Sequence, residues 1–265
     1  MASGRFRKHV VWALGAERTC RAGQAVSFAA AMTAAAAAQG GAPFQTDDPN
    51  VVEFQHVELL PYYQSTLESS GRYGTLPGVE LHFGAFERTE IDLILPYAFY
   101  TPPGGATATG YGDTVLGIKY ALVPESDGFL LSAVPKISFP SGDASRGLGN
   151  GGSAIFLALS AQKTVDDFTT YGNAGYWINN GAGNRSYWFV GWAAQYKFSE
   201  RWTLGGEVFY NRPPIEGQRS SLGFNLGGYF AVDPETQILF SMGRGLVNAS
   251  ESNRVSTYLG MQFSF

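Results

Sequence analysis

The last twelve residues of the chain, Arg254 to Phe265, alternate between apolar and polar side chains without a break. Successive side chains of a strand point to opposite faces, so this alternation predicts a β-strand with one apolar and one polar face. The strand is about twice as long as a typical globular strand. A strand of ~10 residues with one apolar face and aromatic ends is typical of a barrel that crosses an outer membrane.

The composition agrees with a membrane barrel. Charged residues make up 15 % of the 265 residues, against about 25 % in soluble domains. Aromatic residues reach 14 %, and a membrane barrel places such residues in girdles at the two interfaces. No run of about 18 apolar residues occurs, which excludes an ordinary membrane-spanning helix. The predicted fold class is all-β, an antiparallel up-and-down transmembrane barrel.

Residues 1–38 differ from the rest and predict a cleaved signal peptide. A basic region precedes the apolar stretch from Ala25 to Ala38, whose small residues suit a cut before Gln39. The single cysteine, Cys20, would leave with it. So would five of the 18 Lys and Arg but only one of the 22 Asp and Glu, which makes the mature chain more acidic than the formal charge of −4. An acidic chain without a basic patch argues against nucleic-acid binding.

The mature chain divides into two parts. Residues 39–50 are polar and aperiodic, which predicts a periplasmic lead-in, and the sequence leaves open whether it folds back as a plug. Residues 51–265 predict the barrel. Alternation and turn residues predict twelve strands, an even number as in single-chain bacterial barrels: Val52 to Gln64, Gly78 to Phe86, Glu90 to Tyr100, Gly112 to Leu122, Phe129 to Phe139, Ser153 to Gln162, Asp167 to Asn179, Tyr187 to Phe198, Trp202 to Asn211, Ser220 to Ala231, Thr236 to Gly243 and Arg254 to Phe265.

The predicted connections alternate in length. Those after odd strands are long, beginning with Ser65 to Pro77, and those after even strands are short, beginning with Glu87 to Thr89. Long loops on one side and short turns on the other are typical of outer-membrane barrels, with the turns in the periplasm. A soluble β-sandwich is the alternative, but it needs neither this regularity nor strands of this length.

The two faces of the strands separate by polarity. A charge on the lipid face at mid-membrane costs about 2–4 kcal/mol for Lys or Arg, so charged strand residues should point inward. The outward assignment is Ile91, Leu93, Leu95, Tyr97, Phe99, Leu116, Ile118, Tyr120, Leu131, Ala133, Ile137, Trp188, Val190, Trp192, Ala194, Tyr196, Leu222, Phe224 and Leu226. The sixth strand, SAIFLALSAQ, is apolar on both faces and its orientation stays undecided.

The inward charges and the histidine form the predicted lumen, which is the candidate selectivity region. Its residues are Glu58, Glu80, His82, Asp92, Asp113, Lys119, Lys136, Lys197, Glu207 and Arg254. Expected ion pairs join Asp92 or Asp113 to Lys119 or Lys136, and Glu207 to Lys197. These pairs either only hold the barrel shape or select solutes. Twelve strands lie between small filled barrels and wide porins, so a narrow conduit is expected.

Sequence motifs for catalysis or cofactors are weak. A hydrolase needs a nucleophile activated by a base, yet neither His56 nor His82 has a serine two residues away. No cluster of His, Cys, Asp and Glu has metal-ligand spacing, and the glycine-rich stretch Gly149 to Ala154 lacks the lysine of a phosphate loop. The sequence predicts no cofactor, no metal and no catalytic residue. The acidic pair Asp47 and Asp48 is expected to be solvated.

Several short motifs resemble one known family. GDTVLGIKY from Gly112 and KISFPSGD from Lys136 resemble strands of the outer-membrane barrel family named for the meta-cleavage (MetA) pathway of phenol degradation. QTDDPNVVEFQHVEL from Gln45 is similar to its entry segment, and NAGYWIN from Asn173 to a later strand. The resemblance implies a barrel supposed to pass small hydrophobic or aromatic compounds inward. It carries over Asp113, Lys119, Lys136 and Asp143 as lumen or loop residues.

We expect a passive outer-membrane channel for small, including hydrophobic or aromatic, solutes, and not an enzyme. The alternatives are a closed structural or adhesion barrel and an outer-membrane hydrolase. The expected partners are the lipid bilayer of a Gram-negative-type outer membrane, a small solute and the β-barrel assembly machinery. That machinery is expected to recognise the terminal strand through Phe265.

Overall fold

The computed structural model describes residues 41–181, 183–212, 215 and 217–265. The predicted signal peptide, residues 1–38, lies outside these residues. The strands are β1 Val57–Glu68, β2 Gly71–Phe86, β3 Thr89–Thr101, β4 Ala108–Tyr111, β5 Thr114–Ser126, β6 Phe129–Ala133, β7 Lys136–Phe139, β8 Ala154–Val165, β9 Phe168–Asn179, β10 Tyr187–Lys197, β11 Trp202–Asn211, β12 Ser221–Asp233, β13 Thr236–Val247 and β14 Val255–Ser264.

The fourteen segments form a closed barrel of twelve antiparallel strands. β4 and β5 both pair with β3 and make one interrupted barrel strand, while β6 and β7 both pair with β8 and make another. The first and last strands join in register from Glu58↔Ser264 to Leu67↔Val255. The predicted fold class and strand number are confirmed.

Two interruptions follow from local chemistry. Pro135 lies between β6 and β7, where a proline cannot donate a ladder hydrogen bond. Between β4 and β5, the carboxylate of Asp113 leaves the ladder and accepts the backbone N–H groups of Gly142 and Asn150 at 2.9 and 2.5 Å. Asp113 therefore holds the loop that follows β7.

The first hairpin differs from the prediction. β1 and β2 continue through the polar residues expected to form a long loop, and they meet in a tight turn at Ser69 and Ser70. Thr, Ser and Tyr suit a strand as well as a loop, and polarity alone misplaced the boundary. β1 also begins at Val57 rather than Val52. The N–H groups before it donate to other partners, that of Val52 to the Glu90 carboxylate and that of Gln55 to the carbonyl of Gly84.

The outer surface is apolar. None of the side chains predicted to face outward is buried, and Trp192 and Leu226 are exposed by 57 % and 62 %. On β8, Leu157 and Leu159 face outward at 52 % exposure each, whereas Phe156 is buried inside. The undecided strand is therefore oriented with its leucines toward lipid. Such a continuous apolar surface matches the lipid-facing band of a membrane barrel.

Aromatic side chains and a loop fill the end of the barrel with the long loops, which is the extracellular end by the usual orientation. Phe156 stacks on Trp177 at 4.7 Å between ring centroids and contacts Phe189 edge-on at 6.5 Å. Leu148, from the loop after β7, packs on Tyr73, Ala98 and Tyr100. The same loop includes a short 3-10 helix, Ala144–Arg146, which Asp143 caps by accepting the N–H of Ser145.

Within the described ranges, a second short helix is Ala249–Ser252, between β13 and β14. None of the helical segments in the described ranges has the length and hydrophobicity to cross a membrane.

Candidate functional site

Residues 41–56, here called the inner segment, contribute the centre of the candidate site. Residues 41–52 lie inside the barrel rather than in the periplasmic lead-in expected from the sequence, and residues 53–56 are exposed at the barrel end. Glu207 of β11 is its main anchor. The Glu207 carboxylate accepts the backbone N–H groups of Gln45 and Thr46 at 2.8 Å each and the Thr46 hydroxyl at 2.6 Å. Asn225 of β12 donates a fourth hydrogen bond to it at 2.6 Å.

Hydroxyl groups of the wall hold the main chain of the inner segment at several further points. In each case a hydroxyl on an inward-facing strand position donates to a carbonyl that would otherwise be buried without a partner, which is costly. The pairs are Tyr229 with Ala42, Ser241 with Pro43, Ser160 with Asp47 and Ser132 with Pro49. Small polar residues at inward positions thus match the backbone of a chain that crosses the lumen.

Close packing adds to these hydrogen bonds. Gly191 of β10 lies against Thr46 so closely that an added Cβ atom would be 2.2 Å from the Thr46 hydroxyl oxygen. Phe44 is buried against Tyr171 and Ala193. The inner segment therefore rests on a surface shaped for it.

Asp47 links the inner segment to two lysines of the wall. Its carboxylate lies 2.6 Å from Nζ of Lys136 and 3.4 Å from Nζ of Lys119. Lys119 is also 3.6 Å from Oε1 of Glu90, whose other oxygen accepts the N–H of Val52 at 2.6 Å. All four charged groups are buried. Buried charges need partners, because a charge left alone inside a protein is strongly destabilising.

His82 is the centre of a second cluster beside this network. Its Nδ1 lies 2.8 Å from Oδ1 of Asp92 and 3.4 Å from Oε1 of Glu90, and its Nε2 lies 3.5 Å from Oε2 of Glu80. Ligand atoms of His82, Glu90 and Asp92 lie within 4.8 Å of one another and could hold a metal ion. The sequence prediction found no such group because its members come from two paired strands, with His82 opposite Asp92. In this structure the three residues form an ion-pair network with Lys119.

A cavity of about 240 Å³ lies between the inner segment and the wall. Six of the ten predicted lumen residues line it: Glu58, Glu80, His82, Asp92, Lys119 and Lys136. A second cavity, of about 280 Å³, shares Asp48, Asn50, Tyr229 and Gln237 with the first and is otherwise lined by uncharged polar residues and tyrosine. Two adjoining cavities with polar linings thus lie along one side of the inner segment.

The other predicted site residues lie elsewhere. Glu207 anchors the inner segment and does not pair with Lys197 as expected. Lys197 is exposed at the end of β10 and pairs with Glu200 at 3.0 Å. Arg254 is exposed and precedes β14. Both residues lie at strand ends, beyond the enclosed part of the barrel. A side chain there is exposed to solvent even where the alternation assigns it to the inner face. The ion pairs expected for Asp92 and Asp113 are also absent, because neither carboxylate lies within salt-bridge distance of a lysine in the described ranges.

Sequence reasoning missed Asp47, Glu90 and Thr46. Glu90 could have been found, because it shares the face of Asp92 on β3. Asp47 and Thr46 could not, since an aperiodic segment gives no signal of what it contacts. Only excess inward polar residues on the opposite strands hinted that something fills the lumen.

The family profile for the MetA pathway of phenol degradation matches residues 45–265, a range that includes the barrel and most of the inner segment. The chain belongs to this family. No curated protein sequence matches the chain.

Solved structures similar to this family member are outer-membrane barrels. An outer membrane channel from Pseudomonas putida F1 has 16 % identity and a TM-score of 0.60, with 82 % of this chain and 98 % of that chain covered. The KdgM porin has 12 % identity and a TM-score of 0.56, with coverages of 78 % and 99 %. The NanC porin has 9 % identity and a TM-score of 0.55, with coverages of 78 % and 98 %. At these identities the similarity establishes the fold, an outer-membrane β-barrel.

Proposed function

We propose that this family member is a passive outer-membrane channel for small solutes, and that the inner segment controls passage through it. The observation that carries the proposal is the pair of adjoining cavities between the inner segment and the polar wall. Buried space lined by charged and hydrogen-bonding groups can hold water and small polar solutes. A barrel built only for support would have no need of such space.

The mechanism follows from how the inner segment is held. No contact of the segment with the wall is covalent, and its attachments are hydrogen bonds and ion pairs to a few strands. These bonds can exchange with water when the segment moves. Displacement would join the two cavities into one space inside the closed strand wall, and passage further requires the aromatic cluster and the loop with Leu148 to open the extracellular end.

Charge in the first cavity would select among solutes. Asp47, Asp48, Glu58, Glu80, Glu90 and Asp92 line it, against Lys119, Lys136 and the imidazole of His82. An excess of carboxylates favours neutral and cationic solutes over anions, because like charges repel strongly in a narrow passage of low dielectric constant. The aromatic cluster around Phe156 and Trp177 supports passage of hydrophobic or aromatic solutes, which can stack on such rings.

The closed structural or adhesion barrel remains the second candidate. The observation that favours it is the closed extracellular end, where Leu148 and the aromatic cluster fill the interior. The hydrolase has less support. Within the described residues, the polar contacts of His82 go to carboxylates, and those of His56 go to Glu53 and the carbonyl of Phe54.

Liposome swelling tests the proposal. Folded protein is compared with a variant in which residues 41–50 are replaced by a Gly-Ser segment of equal length. We expect slow entry of small neutral solutes with the wild type and faster entry with the variant, in the order cation, neutral, anion at equal size. If neither protein admits any solute, the closed barrel is correct and the channel proposal is wrong.

A further inference from the structure

The two ends of the barrel differ in charge. Around the extracellular end, the described part of the chain has seven arginines, no lysine and four acidic residues: Arg72, Arg146, Arg185, Arg212, Arg219, Arg244 and Arg254, with Glu68, Asp113, Asp143 and Glu251. At the periplasmic end, nine exposed acidic residues surround four basic ones: Glu53, Glu87, Glu125, Asp127, Asp166, Asp167, Glu200, Asp233 and Glu235, with Arg88, Lys163, Lys197 and Arg201. A basic end indicates an anionic partner on the outer side of the membrane.

Two of these arginines lie on the outer wall rather than around the mouth. Arg72 pairs with Leu67 of β1, and Leu67 pairs with Val255 of β14. On the next strand, Arg244 follows Gly243, which pairs with Ser256. Both arginines are exposed, and the two residues on either side of each are buried, so the arginines point away from the lumen. Three strand spacings separate them, which is ~14 Å at ~4.8 Å each.

The position of these two arginines along the barrel axis places them at the outer-leaflet interface of the membrane. From Phe265 at the periplasmic rim to Val255, the strand advances ten residues, or ~33 Å along its axis. At a tilt of ~45° this is a rise of ~23 Å, close to the ~25 Å apolar band of an outer-membrane barrel. Arg72 and Arg244 therefore lie at the level of the headgroups of the outer leaflet.

Neither guanidinium has a carboxylate partner in the described part of the chain. Arg72 donates to the Tyr63 hydroxyl and, at 3.1 Å, to the Ser65 hydroxyl, both of them neutral acceptors. Of the nearby acids, Glu68 is buried and Glu251 pairs with Arg219. Two exposed arginines without a carboxylate partner in the described residues thus lie at the headgroup level, where an anionic group can supply the counter-charge.

We propose that Arg72 and Arg244 bind the phosphate groups of a phosphorylated glycolipid of the outer leaflet, of the lipid A type. The planar guanidinium forms paired hydrogen bonds to phosphate, and arginine serves this purpose better than lysine where geometry matters. The hydroxyls of Tyr63 and Ser65 orient Arg72 for such a contact. The outward direction of both side chains favours a lipid over an anionic solute steered toward the mouth.

Native mass spectrometry of the full chain, folded in detergent, tests this site. Wild type, R72Q, R244Q and the double variant are titrated with diphosphorylated lipid A. The matched control is R201Q, an exposed arginine at the periplasmic end. We expect each variant to bind about tenfold more weakly than the wild type, since a charge-assisted hydrogen bond contributes about that much affinity, and the double variant more weakly still. R201Q should bind as the wild type does.

Two further binding measurements use the wild type alone. Dephosphorylated lipid A should bind the wild type at least tenfold more weakly, and inorganic phosphate at equal concentration should not displace lipid A. If R72Q/R244Q fails to fold, R72K/R244K keeps the charges without the paired geometry and should bind with intermediate affinity. Equal affinity of the double variant and the wild type would overturn the proposal. So would equal binding of the dephosphorylated lipid, or displacement by phosphate alone.

Discussion

Asp47 is the residue on which the charge balance of the inner segment depends, because it is the acceptor for both buried lysines. Asp47→Asn leaves Lys136 without its nearest carboxylate. Removing one partner of a buried pair costs about 3–5 kcal/mol, and here the segment can detach while the barrel stays closed. We predict faster amide hydrogen exchange at residues 44–48 with an unchanged strand pattern.

Asp48→Asn is the matched control, since the hydrogen bonds of Asp48 within the described residues go to its neighbour Asn50. Exchange in this variant should resemble that of the wild type. Equal protection in the Asp47 and Asp48 variants would show that the ion pairs do not hold the segment.

Gly191 tests the steric fit between wall and inner segment. The Cβ of Gly191→Ala would overlap the Thr46 hydroxyl, so we predict that this variant displaces the segment and raises the frequency of single-channel openings. Gly172→Ala is the control on the neighbouring strand, where the nearest atom to an added Cβ is at 3.4 Å. Identical recordings from the two variants would contradict the packing described here.

At this scale, the sequence predicted which charges face inward but not what they contact. Alternation assigns Glu207 and Lys136 to the lumen correctly, since a strand has only two faces. It cannot show that both bind the inner segment, because those contacts span more than 80 residues of sequence. The His82 cluster was missed for a related reason, since it depends on the register of two strands.

At the scale of elements, strands were predicted well where polar turns bound them. β11 has the predicted ends, Trp202 and Asn211, and a closed barrel explains why twelve alternating segments sufficed for the fold. The tight turn of the first hairpin was not predicted. A long loop was expected there, but hydroxyl residues continue a strand above the membrane as readily as they form a loop. Pro135 was a missed signal for the break between β6 and β7.

The loop after β11 and the helix Ala249–Ser252 are joined by Arg219 and Glu251, with 2.5 Å between Nη2 and Oε1. The hydrogen bond from Arg219 holds the pKa of Glu251 below its ordinary value of 4.5. A lowered pKa means that the link is present above the ordinary value and is lost as pH falls through the lowered one. We predict that spin labels at Gln218 and Ser250 report a fixed distance at neutral pH and a broad distribution in acid.

Glu251→Gln provides the control for this pH effect. It should give the broad distribution already at neutral pH and no further change in acid. A narrow distribution for the wild type at all pH values would show that the ion pair does not order the loops.

The terminal strand gives a prediction about assembly. Phe265 exchanges two backbone hydrogen bonds with Val57, and its side chain is 69 % exposed. Because Phe265→Ser keeps the backbone bonds, we predict normal stability of refolded protein but a lower level in the outer membrane of cells. Phe198→Ser, at a side chain with 64 % exposure, should assemble normally. Equal membrane levels of both variants would contradict a recognition role for Phe265.

For the whole molecule, the structure shows a barrel closed at one end by its own aromatic residues and occupied in its centre by its own N-terminal region. The sequence predicted the wall because lipid and lumen impose opposite polarities on alternate residues. It did not predict the position of the inner segment. A segment held by hydrogen bonds to its backbone needs no particular pattern of side chains. The proposed control of conduction therefore depends on a segment that sequence periodicity cannot describe.

Single-channel current in planar bilayers tests whether the inner segment controls conduction through the barrel. The wild type is compared with the variant in which a Gly-Ser segment of equal length replaces residues 41–50. We predict small or rare currents for the wild type and more frequent, cation-selective currents for the variant, because the acidic wall is then free of the inner segment whenever the extracellular end opens. Equal currents from the two proteins, or an anion-selective current from the variant, would contradict it.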